Sequence, residues 1–271
     1  MTLVVIGPVT NDLVVIGRES SNKVGGATYF QSFVFEKFYN DYLAIVNCSN
    51  PDLISDFPEK QKVKLILKDD THFFINEYPD EQNRDYRVQL SNFAQIPILK
   101  SDLEKIFPEK IDAFVLNPLN RYDFPPETID YLKSFDVPIF MSIQGFLRIP
   151  GDELNENYGI KLSNFDELSD ILEGITSIFL DEREANIIGE CSDVVDEVII
   201  TNGSHGSRII SKDCETKIDA VKCDDIKDST GCGDTYMAAY IAKRLNNSSI
   251  KDCGNFASKI ASEKLKRFGH Y

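Results

Sequence analysis

Asp228-Ser229-Thr230-Gly231-Cys232-Gly233-Asp234 stands directly before an apolar-periodic stretch, Thr235 to Leu245. Small residues at 231 to 233 let successive backbone N–H groups turn toward one concavity, and a helix start adds positive potential. Such a turn can hold an anion, for instance a terminal phosphate. The carboxylate of Asp234 then stands in the first helical turn, where it can stabilise the helix dipole, cap an N–H, or accept the proton of an attacking hydroxyl. Asp, Ser and Thr before a helix are also ordinary capping residues, so the turn alone does not choose among these roles. Two common nucleotide motifs are missing: G-x-x-x-x-G-K-S/T does not occur, and Tyr236 takes the place of the third glycine of the dinucleotide fingerprint.

The elements that would position this turn alternate along the chain. Short β-branched runs, Leu3 to Ile6, Leu43 to Val46, Ala113 to Leu116, Pro138 to Met141, Ser177 to Leu180 and Val198 to Thr201, read as strands. Between or after them, Gly26 to Phe38, Glu127 to Phe135, Asp181 to Ile188, Asp234 to Leu245 and Asn255 to Phe268 read as helices. That alternation is the pattern of βαβ units and predicts an α/β fold with a mainly parallel sheet. In the last helix Phe256, Ala257, Ile260, Ala261, Leu265 and Phe268 recur at helical spacing, so one stripe must be buried. Two segments, 13–24 and 62–90, carry short strands and polar turns without helical periodicity. They predict a small sheet inserted in the α/β body, as a lid over the strand ends or as an extension at the sheet edge.

Composition narrows the partners. The 271 residues carry a formal net charge of −15, which argues against nucleic acid or an anionic membrane, since both need a basic footprint. A small ligand in a local cleft survives that objection. No apolar run approaches the length of a bilayer span, and the start lacks the basic region and cleavage site of a signal peptide, so a cytoplasmic protein is expected. Six cysteines (Cys48, Cys191, Cys214, Cys223, Cys232, Cys253) form no C-x-x-C pair, and with only three histidines neither a zinc site nor a redox motif is written. Reduced thiols are expected.

The string Asp228 to Asp234 resembles the D-T-x-G-A-G-D signature of the ribokinase-like (PfkB) family of carbohydrate and nucleoside kinases, with Ser229 for Thr and Cys232 for Ala. Other segments agree in order. Gly7-Pro8-Val9-Thr10-Asn11-Asp12 resembles the family's first strand end with its substrate-binding aspartate, and Gly25-Gly26 its early di-glycine. Asp181-Glu182-Arg183-Glu184 stands where N-x-x-E is usual, and Thr201-Asn202-Gly203-Ser204-His205-Gly206 is similar to T-x-G-x-x-G. Ser142 to Arg148 resembles the D-x-Q-G-x-x-R segment of inositol-kinase-like members, with Ser142 for Asp.

The resemblance implies a three-layer ribokinase-like domain over 1–271, helices flanking the sheet, with the inserted sheet as a lid. It implies an ATP- and Mg²⁺-dependent kinase acting on an alcohol of a sugar, inositol or nucleoside. Asp234 would be the base, and the N–H groups of Gly231, Cys232 and Gly233 would stabilise the transferred phosphoryl. Asp228, Thr201, Gly203 and Gly206 would lie along ATP, while His205 reads as an exposed turn residue. An acidic protein that binds ATP needs a bridging cation, and Glu184 would organise Mg²⁺ through water; Asp181 would tighten the metal or simply cap a helix. Asp12 can accept hydrogen bonds from two neighbouring hydroxyls, with Gly25 and Gly26 beside it, or can cap its own turn.

In the same crevice Gln144 and Arg148 follow a strand directly, and Arg148 would meet a phosphate or carboxylate, or form a surface ion pair. Phe30 replaces the sugar-binding asparagine of ribokinase proper and would stack on a ring or belong to the core. Asn76, Glu77, Tyr78 and Arg84 of the lid are further candidates to reach the substrate. Lid sheets often pair across a homodimer. A kinase-fold sensor that binds without catalysis is the competing reading, and retention of Asp234 speaks against it. ATP with Mg²⁺ is expected to raise the melting temperature and NAD to leave it unchanged; a shift with NAD and none with ATP contradicts the kinase resemblance.

Overall fold

The computed structural model describes residues 2–79, 88–189, 191, 193–212 and 214–271. The chain opens with β1 (Thr2–Ile6), β2 (Thr10–Ile16), β3 (Glu19–Gly25), α1 (Ala27–Phe38), β4 (Tyr42–Cys48), β5 (Val63–Leu67), β6 (His72–Tyr78) and β7 (Val88–Ser91). Its middle holds α2 (Lys100–Leu103), β8 (Ile111–Leu116), α3 (Pro126–Lys133), β9 (Ile139–Ser142), α4 (Gln144–Leu147), β10 (Arg148–Leu154), β11 (Asn157–Leu162) and α5 (Leu168–Leu172). It ends with β12 (Ser177–Asp181), α6 (Glu182–Ile188), β13 (Glu197–Thr201), β14 (Ser207–Ser211), β15 (Cys214–Ile218), α7 (Cys232–Arg244) and α8 (Ile250–Leu265).

Among the described residues a nine-stranded sheet runs β15-β14-β13-β12-β9-β8-β1-β4-β5. Its pairs are parallel from β13 to β5, and β14 and β15 add an antiparallel edge. All six strands expected from the β-branched runs are in it. Side chains alternate across a strand, and in β1 Leu3 and Val5 enter one core with Phe35 of α1, Tyr240 of α7 and Ile260 of α8. Val4 and Ile6 enter the other with Ile129 and Leu132 of α3 and Ile171 of α5. Both faces are covered, which gives the three layers and explains why the parallel strands read as continuous apolar runs.

The second sheet is larger than the lid read from the sequence. Its order is β10-β11-β7-β6-β2-β3, with β2 and β6 parallel and the other pairs antiparallel. Two boundaries change. β5, inside the expected lid segment 62–90, pairs with β4 in the central sheet, so the second sheet takes up the chain only at His72. The hairpin β10–β11 joins it from a region not read as strand at all; Asn155 and Glu156 make its turn with φ of 51° and 64°. Arg84 lies outside the described residues.

Several polar contacts fix how the elements meet. In the buried pair Gln31–Asn117 each amide donates to the other's oxygen, at 3.0 and 2.8 Å, and Asn117 also donates to Thr28 Oγ1 at 3.1 Å, tying α1 to the end of β8. His72, at the start of β6, meets Asp123 at 2.9 Å, both buried. Asp123 also accepts from the N–H groups of Leu119 and Asn120. At the opposite end of the central sheet Arg244 forks onto Glu197 Oε1 at 2.9 and 2.8 Å, and Tyr240 donates to Glu197 Oε2 at 2.8 Å. That cluster holds the far end of α7. No helix among the described residues is long and apolar enough to cross a membrane. Glu197→Ala leaves the Tyr240 hydroxyl buried without an acceptor and the guanidinium without its partner. It is expected to lower stability by about 3 kcal/mol, read as a lower urea midpoint; an unchanged midpoint contradicts the pinning role.

Candidate active site

The carboxyl ends of β9, β12 and β13, with Leu119 beyond β8, open into one cleft of ≈ 570 Å³, where an open α/β sheet is expected to bind its ligand. The second sheet supplies the facing wall. Thr10 and Asp12 of β2, Phe74, Asn76 and Tyr78 of β6, and Ile160 and Leu162 of β11 all line the cleft, each set separated by two residues along its strand. That period-2 spacing puts one face of the inserted sheet over the strand ends.

The floor includes the turn before α7. Gly231 has φ 75°, a left-handed conformation that suits glycine, and a Cβ there would stand 2.6 Å from the ring of Phe30. Phe30 therefore acts on the turn itself as well as lining the cleft. Gly26, at φ 96°, lets α1 begin against the Pro8 carbonyl and brings Phe30 to this place. Gly231, Gly233 and Asp234 line the cleft, with Asp234 in the first turn of α7. Tyr78 reaches across from the second sheet to Thr230 Oγ1 at 3.3 Å.

Cys232 and Asp228 stand outside that lining. The Cys232 N–H donates to the Ser229 carbonyl at 3.2 Å, and its thiol, pushed up to about 12 by burial, faces the Ala261 carbonyl at 3.9 Å. Of residues 231–233, Gly231 and Gly233 line the cleft, while the Cys232 N–H is spent within the turn. Asp228 accepts from Thr230 N at 2.9 Å and Gly269 N at 3.0 Å, and its carbonyl accepts from Lys264 Nζ at 2.9 Å. Burial alone would raise the Asp228 carboxyl, but the Lys264 cation and these N–H donors outweigh it and hold the group below its usual range. What Asp228 does in this structure is shape the turn.

Asp181 caps α6. Its Oδ1 accepts from Glu184 N at 2.9 Å and Glu184 Oε2 accepts from Asp181 N at 2.8 Å, a reciprocal capping box. Asp181 Oδ2 also takes Arg183 at 2.8 Å. All three side chains line the cleft, together with Thr201, Gln144 and Arg148. Gln144 accepts from Arg148 at 2.7 Å, which aligns the two polar groups. Among the described residues no group of three or more His, Cys, Asp or Glu is placed to hold a metal ion.

Gly25, Gly203 and Gly206 do not line the cleft. Gly25 is the β3 partner of Thr10 and packs against the Asp12 carboxylate. Gly203 and Gly206 belong to the turn after β13, closed by Asn202 N donating to the Gly206 carbonyl at 2.8 Å. Sequence reading missed Thr10, Gln89 and Lys264. Among the described residues the Thr10 hydroxyl is buried without a hydrogen-bond partner at the cleft, and Gln89 donates to Asn76 at 2.8 Å within the wall.

Known proteins are similar to this chain in sequence and in fold. Residues 160–271 match the family model described as pfkB family carbohydrate kinase. A nucleoside kinase of Methanocaldococcus jannaschii is 31% identical over 124 residues, 39% of this chain and 41% of that protein. The chain spans less than half the length of the curated relatives it matches. In fold, a solved pyrophosphate-dependent kinase in the ribokinase family, complexed with a pyrophosphate analog and myo-inositol, superposes with a TM-score of 0.81 at 22% identity, covering 99% of this chain and 96% of that one. Arabidopsis thaliana ribokinase complexed with ribose and ATP gives 0.71 at 16% identity, covering 99% and 93%. The resemblance to the ribokinase-like (PfkB) family is borne out, in sequence over 160–271 and in fold over nearly the whole chain.

Burial, and next the Asp181 charge, push the Glu184 carboxyl up to about 7 from its usual 4.5. The folded chain therefore binds a proton there more tightly than the unfolded one, and stability falls as pH rises from about 4.5 to 7. Without added metal, Glu184→Gln, which keeps an acceptor for Asp181 N, is expected to melt above the parent at about pH 8 and to lose that advantage near pH 4.5. An equal or lower melting temperature at the higher pH contradicts the assignment.

Proposed function

We propose that this protein is a carbohydrate or nucleoside kinase, transferring a phosphoryl group from ATP to an alcohol of a sugar, inositol or nucleoside. The observation that carries the reading is that Asp234, in the first turn of α7, and Asp12, on the facing sheet, line one cleft at the carboxyl ends of the parallel strands. That arrangement offers a base and a hydroxyl-binding carboxylate on opposite walls, with the glycine turn beside the base.

Phosphoryl transfer asks a protein mainly to align the nucleophile, stabilise spread charge and exclude water. Asp12, with the Thr10 hydroxyl and the Asn76–Gln89 pair, holds the acceptor's hydroxyls and aims one of them at the γ-phosphorus. Asp234 accepts the proton of that hydroxyl as the new O–P bond forms and the bond to the leaving diphosphate breaks. The Gly231 and Gly233 N–H groups and the α7 start take up negative charge on the phosphoryl oxygens. Arg148 and Arg183 are the cleft cations that meet the donor phosphates, and Thr201 lies along them. The second sheet serves as a lid that keeps water from the transferred group.

Mg²⁺ fits this cleft as a water-bridged ion. Its four carboxylates, Asp12, Asp181, Glu184 and Asp234, form no closed cage, and Mg²⁺ is commonly held by one or two carboxylates plus substrate phosphates. Glu184, with Asp181 beside it, would hold the ion's waters, and the ion supplies charge neutralisation to the donor phosphates. A non-catalytic sensor of the same fold is not favoured, because nothing in sensing needs Asp234 beside the anion-binding turn.

A phosphate-release and ADP-release screen over ribose, hexoses, myo-inositol and nucleosides, with ATP and with pyrophosphate as donors, tests the reading. One acceptor is expected to give turnover that Asp234→Asn lowers by about 10²- to 10⁴-fold while donor binding persists. Turnover of the variant above a few per cent removes Asp234 as the base. Silence with every acceptor and donor contradicts the kinase reading.

A further inference from the structure

Helix α8 buries Cys253, Ala257 and Ile260 on one stripe, and the next position on that stripe is Lys264. The lysine is 0% exposed. Its Nζ donates to the Asp228 carbonyl oxygen at 2.9 Å and stands 3.5 Å from Asp228 Oδ2. Around it the Leu265 carbonyl accepts from Lys227 N at 2.8 Å and from Asp228 N at 3.4 Å. The Asp228 carboxylate in turn holds Thr230 N. One buried ammonium therefore grips the first residue of the 228–234 turn from below, and Phe30 presses on Gly231 from the cleft side.

An ammonium taken wholly out of water is costly, and a methionine of similar length would fill the stripe without that cost. What the charge adds is a fixed place for the carbonyl oxygen and Oδ2 of residue 228, through charge-assisted contacts that an apolar side chain cannot make. We propose that Lys264 is a positioning residue for phosphoryl transfer: it sets the 228–231 turn so that the Gly231–Gly233 edge and Asp234 face the cleft. The proposal rests on reading that cleft as the kinase site.

Three measurements on the full chain test it. In Lys264→Met, amide exchange at Thr230 and Cys232, whose N–H groups are bonded within the turn, is expected to lose protection while α1 and the central strands keep theirs. Turnover is expected to fall about 10²-fold with the acceptor KM nearly unchanged, because the acceptor side is untouched. In Lys264→Ala, added ethylammonium is expected to restore turnover and exchange protection saturably, since the truncated side chain leaves room for a small ammonium ion, whereas tetramethylammonium, unable to donate, should not. Unchanged exchange in the turn, unchanged turnover in Lys264→Met, or rescue by both cations alike would overturn the proposal. Failure of both variants to fold, with ethylammonium unable to restore the fold, would overturn it as well by making Lys264 a stability element. If the parent chain phosphorylates nothing, the kinase reading fails separately, and exchange with its ethylammonium rescue still decides the role of Lys264 in the turn.

Discussion

Gly231 takes a left-handed backbone with the Phe30 ring where a side chain would stand, and this close approach fixes where helix α7 begins. The origin of that helix decides the direction of its first N–H groups and the place of Asp234. Other contacts serve the same end. Gly26 lets α1 start against Pro8 and so delivers Phe30; the Gln31–Asn117 pair keeps α1 over the end of β8; Glu197 holds the far end of α7 through Arg244 and Tyr240. Lys264 holds Asp228, the first residue of the turn. Contacts at both ends of α7 thus converge on one short stretch of backbone.

The charge balance gives the backbone a share in the anion binding proposed for this cleft, beside Arg148 and Arg183. The chain carries a net charge of −15, and the cleft itself holds Asp12, Asp181, Glu184 and Asp234 against Arg148 and Arg183. A polyanionic donor entering such a cleft needs positive potential that adds no further titrating groups. A helix start and oriented N–H groups supply it. The carboxylates would then serve for what carboxylates do well, accepting from hydroxyls and holding the waters of a cation. The raised Glu184 carboxyl fits this division, because a buried acid beside Asp181 is poised to gain from a nearby cation.

Much of this was legible in the sequence because the central strands are buried on both faces and read as short unbroken apolar runs. The turn at 228–234 was legible through its resemblance to a family signature matched in order by other segments, since its residue types alone leave several roles open. The second sheet was harder. Val63 to Leu67 has the same strand chemistry whether it sits in the central sheet or the inserted one, and only the partner, β4, decides. The hairpin Arg148–Leu162 lies on a half-exposed sheet, so its apolar alternation is weak, and its turn uses Asn155-Glu156 in place of a glycine. Lys264 did leave a signal, a lysine on the buried stripe of α8, whose partner appears only when Asp228 is brought beneath it. Cys232 and Asp228 show the converse, since membership in a motif does not say which side chain faces the ligand and which supports the fold.

Transfer of a phosphoryl group to a carbon-bound alcohol in this cleft is what every proposed role of the turn and of Asp234 requires. Phosphorus-31 NMR of the protein with ATP, Mg²⁺ and the acceptor tests that without a coupling enzyme. The expected result is a new phosphomonoester resonance, split by the proton on the esterified carbon and growing in step with ADP. Inorganic phosphate as the sole product, or an unchanged ATP spectrum with every acceptor, would contradict it.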